Sequence, residues 1–304
     1  MRAAVIGIGS NSIRLLVADI QGERIREVLR DREGTRLFSG LDSQGNLSQE
    51  SMAKTLATIV TMQEKAVQLH ADALDLFATS AVRDAGNQQE FSGLILERTG
   101  LELEILAGES EAALSFFGAT SGLRCGVIDI GGGSTEFVIG KGASIERSVS
   151  LQMGAVRLFR MYPVRSSHDL PHLLRAAVDI LQEGIGPLLK DGLPDTWVGV
   201  GGTLTAMAAV SKGLPWTEKT RLNGYCLKSE EVGEWLTRLA DMSLMQRLSL
   251  PGLQPHRADI MVHGTAILKA SMDKLNISQI TVSEFGNLDG YLKKKYLFNP
   301  LVQV

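Results

Sequence analysis

The chain has 304 residues, 31 of them basic and 34 acidic, for a net charge of −3 and a hydrophobic content of 44%. This balance argues against a surface given over to nucleic acid, and 5% aromatic residues disfavour stacking platforms for single strands, so no DNA partner is expected. No apolar run approaches about 18 residues, so no membrane span is expected. The opening Met1–Gly9 lacks the long apolar core and cleavage site of a secretory signal. Cys125 and Cys226 are too few and too far apart for a disulfide framework. The composition reads as a soluble, reduced, cytoplasmic protein of about two domains, taking about 150 residues for each.

Residues 3–8 form an apolar run that predicts a strand, ended by the small-residue turn Gly9-Ser10-Asn11-Ser12. Alternation from Ile13 to Ile20 predicts a second strand, and a third strand-like stretch covers 24–38. Met52, Leu56 and Ile59 fall on one stripe and predict a helix over 48–68. Ala73–Thr79 reads as a buried strand, from which the polar Ser80–Asn87 leads towards another helix; a strand over 102–106 and a helix over 109–120 close this unit. At Val127 the pattern begins again. Val127–Ile139 lies over Val5–Val17 at an offset of 122, again as strand, small-residue turn and strand. A further strand is predicted over 143–151, a helix over 169–183, then a strand from Trp197 into Gly201-Gly202-Thr203 and a helix over 204–210. Helices over 228–241 and 255–273, a strand over 278–283 and a last helix over 286–295 complete the chain, with Lys293-Lys294-Lys295 as a solvated helix end. Two βββ-then-αβα units imply a duplicated α/β fold with a cleft between the halves.

The glycine turns carry the chemistry. In Gly131-Gly132-Gly133-Ser134-Thr135 the backbone is free to turn successive N–H groups towards one anion, and the hydroxyls add donors. Gly9-Ser10-Asn11-Ser12 offers a similar nest, and Gly201-Gly202-Thr203 a third at a helix N-terminus. One such turn alone is a tight hairpin; three, two of them related by duplication, point to phosphate. There is no P-loop, and a strand rather than a helix follows the first turn, which excludes the dinucleotide fingerprint. His168 and His172 flank Pro171 at a helix start and are not expected to hold metal. Asp129 ends a buried strand beside the glycine turn, with Glu136 just beyond it, a pair suited to Mg²⁺. Glu111, in the first turn of a helix, is a candidate for activating water, although its surroundings in sequence are those of a surface residue.

Gly9–Ser12, Ala78-Thr-Ser-Ala-Val-Arg-Asp-Ala85, Gly108-Glu-Ser-Glu-Ala112 and Ile128-Asp-Ile-Gly-Gly-Gly-Ser-Thr-Glu136 together resemble the exopolyphosphatase/guanosine pentaphosphate phosphohydrolase (Ppx/GppA) family. Met153-Gly-Ala-Val-Arg157, Gly201-Gly-Thr203 and Leu250-Pro-Gly-Leu253 extend the resemblance over nearly the whole chain. It implies two duplicated ribonuclease H-like (actin-like ATPase) domains with an interdomain cleft. The first covers 1–120 and the second 121–304, with the C-terminal helix of about 290–304 packing back on the first. It also implies a hydrolase that releases terminal phosphate from polyphosphate or converts pppGpp to ppGpp, with Mg²⁺ or Mn²⁺ as cofactor. Glu111 matches the family's general base, Arg83 the arginine reaching substrate phosphates, and Asp129 and Glu136 the metal- and water-positioning acids. The turns at Gly9–Ser12 and Gly131–Thr135 match the phosphate loops, joined by Arg157 and Gly201–Thr203. Polyphosphate or guanosine penta- or tetraphosphate is the expected ligand, and a homodimer the expected assembly.

The chain departs from the family pattern in several places. Gly7 stands where the family has Asp, the duplicate of Asp129; Ser110 and Ala113 depart from its Glu-Glu-Ala-Arg run, and Gly286–Gly290 reads Gly-Asn-Leu-Asp-Gly. Gly7 motivates an alternative, a polyphosphate or (p)ppGpp sensor of low turnover. On this reading Gly7→Asp is expected to lower the Mg²⁺ concentration needed for half activity. A third reading, an actin-like ATPase or small-molecule kinase, is opposed by the Ala78–Ala85 run.

Overall fold

Past Arg2, every residue of strand β1 (Arg2–Ile8) is buried, as in a strand covered on both faces. It centres the first of two sheets in the computed structural model, which describes residues 1–120, 122–215 and 222–298. β1 pairs antiparallel with β2 (Ile13–Gln21), and β2 with β3 (Arg24–Glu33). After α1 (Gln49–Gln68), β4 (Ala73–Ala78) lies parallel to β1 on its other side. Helices α2 (Ser80–Arg83) and α3 (Gln88–Thr99), the short strand β5 (Glu104–Ile105) and α4 (Gly108–Ala119) follow. The strand order is β3-β2-β1-β4-β5.

The second sheet repeats this plan. β6 (Cys125–Ile130), β7 (Thr135–Lys141) and β8 (Ser144–Leu151) form the antiparallel meander. Helices α5 (Ala155–Met161), α6 (Leu170–Gly184) and α7 (Gly186–Leu189) lead to β9 (Trp197–Val200), parallel to β6, and to α8 (Gly202–Lys212). β10 (Cys226–Lys228), α9 (Ser229–Asp241), α10 (Leu244–Leu248), α11 (Met261–Lys274), β11 (Gln279–Val282) and α12 (Asn287–Tyr296) complete the chain. Its order is β10-β11-β9-β6-β7-β8, the arrangement of the first sheet with β10 added at the edge.

The chain groups into two units, Met1–Gly118 with the stretch from Asn287 onward, and Ala119–Gly286. Helix α12 belongs to the first because Leu288, Leu292 and Tyr296 join Ala3, Val5, Leu16, Ala18 and Phe77 in one core. In the second unit α11 is buried around most of its circumference, from Met261 to Met272, and so acts as the unit's central helix.

Several expectations change in detail. The third strand stops at Glu33 rather than running to residue 38, because Arg36 turns left-handed (φ 57°) and Leu37–Gly40 forms a 3₁₀ turn. On α1 the buried stripe is Met52, Thr55, Ile59, Met62 and Ala66, with Leu56 at its margin. Helices α5 and α10 and strand β10 are too short for their periods to mark them in the sequence. The Lys293–Lys295 run is not simply solvated. Lys293 Nζ donates to the carbonyls of Phe117 and Gly118 at the end of α4, at 2.8 and 3.1 Å, and Lys295 pairs with Asp75 at 2.5 Å. Only Lys294 of the three is exposed. Among the described residues, no helix is long and apolar enough to cross a membrane.

His263, buried on α11, lies 2.7 Å from the Tyr162 carbonyl through Nε2 and stacks edge-on against Phe159. Burial pushes its pKa below the usual imidazole value; the Tyr162 carbonyl and Asp259 oppose that and Arg247 reinforces it. The unfolded chain therefore binds a proton that the folded chain resists. This imidazole costs no stability above its ordinary pKa of about 6.5, and a growing penalty appears as pH falls below that value towards the depressed one. Thermal unfolding followed between pH 7.5 and 5.5 is expected to show a decline that is flattened in His263→Gln.

Candidate active site

The turn between β6 and β7 is held from one side. Gly131 N–H closes it onto the Ser134 carbonyl at 3.0 Å. The three glycine carbonyls are then taken up by the start of α5: Ala155 N–H donates to Gly131 O, Val156 and Arg157 N–H to Gly132 O, and Arg157 Nε to Gly133 O at 2.7 Å. In a planar trans peptide a carbonyl and the next residue's N–H point in opposite directions. The N–H groups of Gly132, Gly133 and Ser134 are therefore turned to the face away from α5, as an anion nest requires. Gly154 permits the contact, since a Cβ there would lie 2.3 Å from the Gly132 carbonyl carbon and oxygen. The same logic holds in the first unit. Gly9 N–H bonds Ser12 O at 3.0 Å, while Phe38 and Arg36 N–H take the carbonyls of Ser10 and Asn11, directing the N–H groups of Asn11 and Ser12 the other way.

Two carboxylates accompany the second loop. Asp129 and Glu136 are register partners across β6–β7, and Glu136 is the partner of Ser150 across β7–β8, so the three side chains share a face. Both acids are buried, and Ser150 Oγ donates to Glu136 Oε1 at 2.8 Å. Asp129 Oδ1 occupies space that any side chain at position 201 would need: a Cβ at Gly201 would lie 2.6 Å from it, and the φ of 94° there also favours glycine. Among the described residues no group of three or more His, Cys, Asp or Glu is placed to hold a metal. A pair of oxygen donors of this kind fits Mg²⁺ or Mn²⁺, since Mg²⁺ is commonly bound through one or two carboxylates while keeping waters and substrate phosphate oxygens.

In the first unit Glu111 stands in the first turn of α4, where the helix dipole favours negative charge. It is only 6% exposed, unlike the surface residue its sequence surroundings indicate. Arg83, at the end of α2, accounts for this. Its Nη1 donates to Glu111 Oε2 at 3.1 Å and to the Leu106 carbonyl at 2.9 Å, while Nε lies 3.6 Å from Asp84 Oδ1. Arg83 thus orients Glu111. Ser10 is also buried, its hydroxyl 2.9 Å from that of Ser80 at the start of α2.

Other expected residues are placed in supporting positions. Arg157 lies on the carbonyl side of the glycine loop, bonded to Gly133 O and the Gln152 side chain. The Thr135 hydroxyl donates to the Met153 carbonyl, and the Thr203 side chain packs where a Cβ on Gly264 of α11 would stand. The Arg257 guanidinium lies over Gly202 at the start of α8, with Nε bonded to Gln254 Oε1 at 3.2 Å. Ser150, Gly154 and Gln152 were not singled out from sequence. Ser150 is found only once the β7–β8 register is known, whereas Gly154 lay in view within the Met153–Arg157 run.

Two sheets that share one strand order but for the added edge strand β10, each beginning with strand, small-residue turn and strand, define an actin-like ATPase fold. The chain belongs to the Ppx/GppA phosphatase family, whose model matches residues 16–297. It is 32% identical to exopolyphosphatase 2 of Mycobacterium tuberculosis, over 95% of this chain and 97% of that protein. Among solved structures, an exopolyphosphatase-like protein superposes with a TM-score of 0.88 at 26% identity, covering 97% of this chain and 98% of the other. The Aquifex aeolicus Ppx/GppA family member shares the fold with a TM-score of 0.83 at 24% identity, covering 98% of each chain.

The contact at Gly154 gives a test of the loop. Gly154→Ala is expected to displace the glycine turn and weaken tripolyphosphate binding, measured by titration calorimetry, at least about tenfold, which is about 1.4 kcal/mol. Gly93→Ala, on α3 where a Cβ meets nothing within 4 Å, is expected to leave binding unchanged and to raise stability slightly.

Proposed function

We propose that this protein is an exopolyphosphatase, hydrolysing the terminal phosphoanhydride of inorganic polyphosphate. The observation that supports this most is the pinning of three successive glycine carbonyls by α5, which turns three N–H donors to one face beside two buried acids. Such a loop matches the non-bridging oxygens of a phosphoryl group and gives no preference for a base or sugar. The length of the match to an exopolyphosphatase, nearly end to end, favours polyphosphate over pppGpp as principal substrate.

Phosphoryl transfer depends mainly on positioning and on offsetting charge. The N–H groups of Gly132, Gly133 and Ser134 donate to oxygens of the terminal phosphoryl group, and those of Asn11 and Ser12 donate to phosphate in the same manner. Glu111, held by Arg83, accepts the proton of a water whose oxygen forms the new bond to phosphorus. The bond to the bridging oxygen breaks, and the shortened chain leaves with that oxygen's electron pair. Asp129 and Glu136 would hold Mg²⁺, which when bound neutralises phosphate charge; Ser150 fixes the rotamer of Glu136. Arg157 acts as a positioning residue through the Gly133 carbonyl.

Glu111→Gln is expected to lower kcat for phosphate release from long-chain polyphosphate by about 100-fold or more, with KM little changed. Lys294→Ala, on an exposed position of α12, is expected to leave both constants as they are. Equal effects of the two variants would refute the assignment. Asp129→Asn is expected to raise the Mg²⁺ concentration needed for half activity and to weaken Mn²⁺ binding followed by electron paramagnetic resonance. Assaying polyphosphate and pppGpp side by side separates the two substrates: faster turnover of pppGpp would overturn the preference stated here.

A further inference from the structure

Two consecutive residues in the first turn of α11 meet different helices of the second unit. One is α5, whose start holds the Gly131–Gly133 turn; the other is α8, which begins in the Gly201–Thr203 turn. His263 Nε2 lies 2.7 Å from the Tyr162 carbonyl, and its ring meets Phe159 edge-on with centroids 5.4 Å apart. Phe159 and Tyr162, three residues apart, line one face at the end of α5. A carbonyl only accepts, so Nε2 carries the proton of this bond. The other ring nitrogen, Nδ1, is buried with no hydrogen-bond partner among the described residues, so the imidazole is committed to α5 alone. Gly264 follows about 100° further round the helix. It lets α8 close in, because a Cβ there would lie 2.6 Å from Thr203 Oγ1 and 2.8 Å from Thr203 Cγ2.

Neither contact touches a turn's donors, and neither needs to. Helix α5 has seven residues and is about 10 Å long, so a shift at its end is carried as one rigid piece to its start. There Ala155, Val156 and Arg157 bond the glycine carbonyls. The second turn lies against the end of the same strand, since a Cβ at Gly201 would stand 2.6 Å from Asp129 Oδ1 and 2.8 Å from the Ile130 carbonyl oxygen. We infer that His263 is a positioning residue for substrate phosphate: with Gly264 it sets the spacing of the Gly131–Gly133 and Gly201–Thr203 turns, fastening α5 on one face of α11 while α8 closes on the next. This rests on the reading of those turns as the phosphate cradle. Leucine at 263 fills the space but leaves the Tyr162 carbonyl without its donor, whereas glutamine keeps an N–H to give.

Variants of the full chain test this by KM and kcat for polyphosphate, tripolyphosphate titration calorimetry, thermal unfolding and hydrogen exchange of the Ala155–Arg157 amides. His263→Leu is expected to raise KM and weaken tripolyphosphate about fivefold, with kcat little changed and faster exchange at Ala155–Arg157. His263→Gln is expected to recover both binding and protection. Gly264→Ala displaces α8 rather than α5, so it is expected to weaken tripolyphosphate comparably while Ala155–Arg157 exchange at the parental rate. Met272→Ala, at a fully buried position later in α11, is expected to lower the unfolding temperature at least as much as His263→Leu and to leave KM unchanged. Phe159→Leu approaches the same contact from a half-buried position on α5; it is expected to repeat the His263→Leu pattern, and it decides the matter if that variant does not fold. A KM rise shared by Met272→Ala would reveal general loosening and overturn the inference. So would parental binding in His263→Leu or Gly264→Ala, or a His263→Gln no better than His263→Leu. Gly154→Ala keeps the two readings apart. If it weakens tripolyphosphate and His263→Leu does not, the inference alone falls; parental binding in both, despite faster exchange in His263→Leu, overturns the phosphate reading and the inference with it.

Discussion

The rigidity of the peptide plane organises this molecule's chemistry. A glycine turn by itself has no preferred side; three glycines in succession sample many arrangements and define none. What selects one arrangement is the capture of the carbonyls of Gly131, Gly132 and Gly133 by α5 and the Arg157 side chain. Once those oxygens are engaged, the donors of the next residues have only one direction left. The entropy lost in ordering the turn is met by hydrogen bonds made within the protein, so the donor array exists before any ligand arrives. The first unit reaches the same result by other means, using the chain that leaves β3 rather than a helix.

Duplication supplied the frame, and the two copies then diverged at corresponding positions. In the second unit the row across β6, β7 and β8 is Asp129, Glu136 and Ser150; in the first the matching row across β1, β2 and β3 is Gly7, Arg14 and Arg32. One sheet presents acids where the other presents bases and a glycine. The shared strand order is therefore a scaffold on which this one row holds opposite charge in the two units, and symmetry of the backbone coexists with asymmetry of the chemistry.

The repeat was legible in the sequence because its signature is local: an apolar strand, a small-residue turn and a second strand, recurring at a fixed interval. The glycine turns and the acids beside them were legible for the same reason. The burial of Glu111 was not, since it depends on Arg83, a partner 28 residues earlier, and no local pattern records that pairing. Thr135 and Arg157 illustrate the converse. Both lie in motifs that suggest contact with an anion; the Thr135 hydroxyl bonds the Met153 carbonyl, and the Arg157 side chain bonds the Gly133 carbonyl and the Gln152 side chain. Motif membership located the neighbourhood of these side chains; only the path of the chain showed which way they turn.

Helix α12 has a bearing on how the polypeptide comes to be folded. Its Leu288, Leu292 and Tyr296 complete the hydrophobic interior of a sheet whose first strand begins at Arg2. On the ribosome, β1 to β5 emerge long before the segment that seals them, and all of Ala119–Gly286 is made in the interval. The later-encoded unit holds its interior within one continuous stretch and is free to mature first, while the earlier one waits with an uncovered apolar face. The nascent chain is thus most exposed to aggregation along this earlier-made sheet, and that is where a chaperone would find its binding surface.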